Sequence, residues 1–142
     1  MAIELVPLAT MHVGVRQPIE VGAGPAGIRK ILENSSIQVK GDRLSGEMLG
    51  VAASDWMILG PEGTGTIDVR CAIQTDDGAA TYMKYNGRLD TSHGLQLPVT
   101  VYIAPTFETG DERYAWINRI QAVGKGILHE DLGLDYELYE VR

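Results

Sequence analysis

The chain has 142 residues, 44% apolar and 22% charged, which supplies enough apolar material for one core and too little length for two. Its formal net charge of −7, with no basic run longer than Arg29-Lys30, excludes a general affinity for nucleic-acid phosphates. No apolar run approaches the roughly 20 residues that span a bilayer, and the lone Cys71 excludes an internal disulfide, so a single cytoplasmic domain over residues 1–142 is expected, with no nucleic-acid or membrane partner.

Taken in order, Leu5 to Val15 is rich in β-favouring residues and closes at Gln17-Pro18, as a strand ending in a turn. A short stretch from Pro18 to Val21 leads into the glycine-rich Gly22 to Gly27, and Ile28 to Leu32 fits either a helical turn or a strand. Ser36 to Lys40, Arg43 to Leu49 and Asp55 to Leu59 are the next strand candidates, with connections too short to hold a helix. Thr66 to Thr75 alternates strictly, with Ile67, Val69, Cys71 and Ile73 on one face and Thr66, Asp68, Arg70 and Ala72 on the other. Asp76-Asp77-Gly78 turns this strand into Ala80 to Tyr85. Leu97 to Ala104, Tyr114 to Val123 and Leu134 to Val141 complete the set. Many short strands separated by glycine-bearing turns predict an all-β fold, a small closed antiparallel β-barrel of about 8–10 strands, because closure removes the edges that invite aggregation.

Most motifs with chemical potential have plainer readings. Gly22-x-Gly24-x-x-Gly27 has dinucleotide-fingerprint spacing, but Ile28 to Asn34 is too short for the helix that would face a pyrophosphate, so it reads as a turn and no cofactor is expected. His12, His93 and His129 lack metal-ligand spacing, so no metal is expected; His12 shares a strand face with Thr10 and Gly14 and either faces a cavity or serves the structure. Cys71 lies on the apolar face of its strand, where a thiol acts as a small hydrophobe.

Polar residues of shared strand parity are more informative. Tyr114, Trp116 and Asn118 would line one face of a strand, suiting a pocket that stacks on a flat ligand, and Asp68 and Arg70 would share another. If those faces point inward, Asp68 is a candidate acid or base and Arg70 its charge partner; if outward, the pair is solvated and Trp116 belongs to the core. Asp55 before Trp56 reads first as a turn cap and second as a carboxylate beside an indole.

Beyond these single residues, Pro18-Ile19-Glu20-Val21-Gly22, Gly27-Ile28-Arg29-Lys30, Gly41 to Gly46, Asp55-Trp56, Asp68-Val69-Arg70, Thr75 to Ala79, Phe107 to Gly110 and Arg113 to Asn118 occur together in order. This series resembles domain-of-unknown-function family 3237, also called uncharacterised protein family 0311, over nearly the whole chain. The resemblance implies a compact β-barrel and draws attention to Asp55, Trp56, Asp68, Arg70, Tyr114, Trp116 and Asn118 as positions within the family's motifs, without implying an activity.

The leading functional expectation is a cofactor-independent lyase, isomerase or hydratase acting by proton transfer on a small aromatic or carbonyl compound inside the barrel. Asp68, Arg70 and Tyr114 would be catalytic, while Asp55, Trp56, Trp116 and Asn118 would bind the ligand. The alternative is a non-catalytic barrel that binds a small ligand, and self-association into a homo-oligomer is left open in either case.

Overall fold

Alternation of apolar and polar residues carries through into ten antiparallel strands in a computed structural model that describes all 142 residues. The strands are β1 (Leu5–Val15), β2 (Ile19–Gly24), β3 (Gly27–Lys40), β4 (Gly46–Met48), β5 (Ser54–Leu59), β6 (Thr64–Thr75), β7 (Ala80–Asp90), β8 (Val99–Glu108), β9 (Gln121–Leu128) and β10 (Leu134–Val141). Their neighbours run β1-β10-β9-β8-β7-β6, after which β6 pairs with both β4 and β5. Those two short strands pair with β3, and β3 pairs with β1 to close the ring. No helix is long and apolar enough to cross a membrane.

The segment that fits either helix or strand, Ile28 to Leu32, is strand, and it runs without a break into the expected strand at Ser36. Two tertiary demands decide this. Residues 28–33 pair with β5, whereas residues 34–40 pair with β1, so one long strand serves both sides of the closure. The glycine-rich stretch is the β2–β3 hairpin, with Gly24 opposite Gly27. Gly27 has φ +125°, and a Cβ there would lie 2.8 Å from the Leu59 carbonyl oxygen, so both conformation and space require glycine.

The interior is apolar. Ile67, Val69, Cys71 and Ile73 point inward from β6 and join a cluster of 25 buried residues drawn from all around the ring. Gly124 and Gly126 face inward from β9, and the space they leave is filled by neighbouring side chains. A Cβ on Gly126 would fall on the Tyr136 ring and 2.7 Å from the Asp135 carbonyl oxygen.

One expected strand is absent. Tyr114 to Val123 splits into a 3₁₀ helix, Glu112–Arg119, followed by β9. Asp111 caps this helix by accepting from the Arg113 amide at 2.9 Å, and Ile117 beneath it is fully buried, so the helix closes one end of the barrel. The substitution Gly126→Ala, by forcing the Tyr136 ring to move, is expected to lower unfolding free energy by about 1–3 kcal/mol. An unchanged urea midpoint would show that the interior can absorb the extra methyl group.

Candidate functional site

Three of the residues singled out from the sequence, Trp56, Asp68 and Arg70, meet at one place, on the outer wall where β3, β5 and β6 run side by side. Ile31 lies opposite Trp56, and Ser54 lies opposite Arg70. Their side chains, with Arg29, Ala52 and Asp68, line a depression of about 720 Å³. Trp56 is 44% exposed there. Arg29 Nη1 donates to the Trp56 carbonyl oxygen at 2.7 Å, which ties the rim to its floor. Arg70 forms no ion pair, and its side chain forms no hydrogen bond.

Asp68 has one carboxylate oxygen, Oδ1, shut away from water with no donor, while the side chain as a whole remains partly exposed. Its backbone amide donates to Asp55 Oδ1 at 3.0 Å. Asp55 itself points the other way, into the barrel, from its register position opposite Leu32 and Val69. Burial pushes the Asp55 carboxyl from 3.8 up to about 7; the Asp68 amide opposes this, and the Asp68 charge adds to it. Nearby in the interior, the Tyr85 and Tyr136 rings meet edge to face at 6.1 Å and 65°. Burial raises both phenols. The Asn34 amide nitrogen is enclosed without a partner.

Several expectations need correction. Of the two orientations open for Asp68 and Arg70, the outward one holds, because a closed ring can bury only one parity of β6 and Ile67, Val69, Cys71 and Ile73 claim it, so these two do not sit inside the barrel as the functional expectation required. Asp68 and Arg70, which would have had to pair if buried, form no ion pair with each other. Tyr114, Trp116 and Asn118 do not share a strand face, since they lie on the 3₁₀ helix, where two-residue parity has no meaning. They fasten the closed end instead. Tyr114 Oη donates to Asp77 Oδ1 at 2.8 Å, Asn118 bonds both backbone groups of Thr109, and Arg43 lies 5.1 Å over the Trp116 ring. Glu140 joins this fastening, accepting from Arg43 at 2.6 Å and from Arg142 at 2.9 Å, and those two bonds hold its carboxyl below the usual range, Arg142 contributing more. Asp55 does not cap a turn, because its backbone is within β5.

Sequence reading missed Arg29, Tyr85 and Tyr136. Arg29 shares parity with Ile31, but only a firm strand assignment for that segment would have placed the two together. It also missed the meeting of His12 and His129 on Asp135, at 2.6 and 2.9 Å, which joins residues 123 positions apart.

Geometrically the molecule is a closed antiparallel β-barrel with a mostly apolar filling and, on its wall at β3, β5 and β6, an aromatic, charged depression. A family model for a protein of unknown function, DUF3237, matches residues 3–141, and the chain belongs to that family. It is 30% identical over 124 residues to a UPF0311 protein of Rhodopseudomonas palustris, an alignment covering 79% of this chain and 78% of that one. A beta-barrel like protein from Acinetobacter baumannii superposes with a TM-score of 0.87 at 28% identity, covering 100% of this chain and 98% of that chain. A structure described as an enzyme from Penicillium herquei gives a TM-score of 0.75 at 21% identity, covering 99% and 94%, and shares the fold.

The buried carboxyl has a pH signature. A folded-state value of about 7 lies above the ordinary 3.8, so the folded chain holds the Asp55 proton more tightly than the unfolded chain does. That contribution is complete in acid, below the ordinary value, and is lost as pH rises through about 7. Relative to Asp55→Asn, which keeps an acceptor for the Asp68 amide, the native chain should lose stability on the order of a few kcal/mol between these limits. Urea unfolding across that pH range measures the difference, and a constant gap between the two proteins would contradict it.

Proposed function

We propose that this protein is a cofactor-independent enzyme of the isomerase, hydratase or lyase type, moving a proton on a small planar carbonyl or phenolic compound seated against Trp56. The observation that carries this reading is the convergence of a half-enclosed carboxylate, an unpaired guanidinium and an exposed indole in a single depression. The site lies on the outside of the wall rather than in the lumen.

In this reading the solvent-side oxygen of Asp68 takes a proton from carbon next to the carbonyl, and the electron pair moves onto the carbonyl oxygen. Arg70 holds the resulting enolate oxygen by charge-assisted hydrogen bonds. Return of the proton to a different carbon completes an isomerisation; loss of a leaving group from the neighbouring carbon completes an elimination. Trp56 fixes the ring plane, and Arg29 holds Trp56 through its carbonyl. The enzyme from Penicillium herquei supports this only in that a barrel of this shape can host catalysis.

A second reading is favoured by the openness of the wall: the same depression binds a small aromatic ligand without turning it over. Aromatic enones and hydroxy-ketones incubated in deuterated buffer and followed by NMR separate the two. Protein-dependent exchange is expected, reduced about 10²–10⁴-fold in Asp68→Asn. Exchange that survives this substitution undiminished removes Asp68 from the chemistry, and binding without exchange of any compound leaves the binder.

A further inference from the structure

Resting only on that reading's placement of the site in the wall depression, and not on its proton transfer, we propose that this depression binds a planar arene with a carboxylate at one edge and a hydroxyl group at the opposite edge, the pattern of a 4-hydroxybenzoate. Asp68 and Arg70 stand two residues apart on β6, so their side chains leave the same face about 6.6 Å from one another along the strand. A single ring laid across this face therefore meets Arg70 at one edge and Asp68 at the other. Between them and the facing strand, Trp56 offers its exposed ring as a stacking surface.

The two ends differ in what they accept. Arg70 has neither an ion pair nor a side-chain hydrogen bond although the chain carries a net charge of −7, and its guanidinium can take a carboxylate through two parallel N–H···O bonds. Arg29 spends one nitrogen on the Trp56 carbonyl and adds positive charge to the same rim. Asp68 requires the opposite partner. Its Oδ1 is enclosed, so its other oxygen is the one that ligand can reach, and an ionised carboxylate accepts a hydroxyl hydrogen but repels a second carboxylate. A dicarboxylate therefore places like charges together at Asp68, and a simple phenol leaves Arg70 without its anion.

Calorimetric titration of the full chain with 4-hydroxybenzoate, benzoate, phenol and terephthalate tests this order. The hydroxybenzoate should bind about tenfold more tightly than benzoate or phenol, with terephthalate weaker than benzoate. Arg70→Gln should bring 4-hydroxybenzoate down to the affinity of phenol, and Asp68→Ala should erase its advantage over benzoate. Fluorescence titration of a Trp116→Phe chain, in which Trp56 alone reports, should give the same midpoint. Equal affinity for the four compounds, or an advantage over phenol that survives Arg70→Gln, overturns the assignment. Failure of the two readings is distinguishable: the ranking without proton exchange keeps the ligand class and discards the chemistry, whereas Asp68-dependent exchange on enones without the ranking discards the ligand class alone.

Discussion

The barrel depends on β3 changing partners midway. Its first half is held by β2 and β5 and its second by β1 and β4, so a single strand of 14 residues bridges the gap that would otherwise leave the sheet open. Once β3 meets β1, backbone hydrogen bonding runs around the whole ring, and each residue on the ring must point either in or out. A lumen of this size, filled by side chains, cannot take in unpaired charges at tolerable cost, so the more apolar parity faces inward on the ring strands, with Asn34 and Asp55 as polar exceptions. β2 alone retains a free edge, which its shortness and its glycines blunt.

This constraint puts neighbouring carboxylates on opposite sides of one wall. Asp55 on β5 points inward, Asp68 on β6 points outward, and the Asp68 amide joins them. The interior acid carries its burial as a raised proton affinity, to which the charge of Asp68 adds. Protonation inside the wall and charge at the outer depression are therefore coupled through a fixed peptide group. Because both side chains grow from paired strands, their relative placement is set by register, which gives the depression a stiffness that loop-built sites lack.

Strand parity explains what could and could not be read from sequence. Periodicity found β1 and β10 with their observed boundaries, and Asp76-Asp77-Gly78 identified the β6–β7 hairpin, since these signals are local. Alternation also divided β6 correctly into two sets, but the pattern is the same whichever set is buried; the direction came from closure of the ring. The segment around Tyr114 misled for a different reason. Tyr114, Trp116 and Asn118 have the spacing of a strand face, yet Asp111 caps a helix start, and the pull of Ile117 into the barrel end then favours a tight turn of chain over an extended one. Asp55 next to Trp56 resembled a turn residue because the preceding stretch is rich in small side chains, whereas its actual position is defined by pairing with residues on β3 and β6 far away in the sequence.

The aromatic and charged residues consequently divide by location into groups with different physical tasks. At the closed end, Arg43, Arg113, Tyr114, Trp116 and Asn118 are all engaged with protein partners, so their charges and hydrogen bonds are already spent on holding the 3₁₀ helix in place. On the wall, Arg70 and Asp68 retain unused hydrogen-bonding capacity beside an indole that half faces water. Unspent polar capacity is costly where it is shielded, and it lowers stability unless something else, such as a ligand, satisfies it. The closed end thus accounts for itself through internal contacts alone, whereas the wall depression keeps hydrogen-bonding capacity that internal contacts leave unspent.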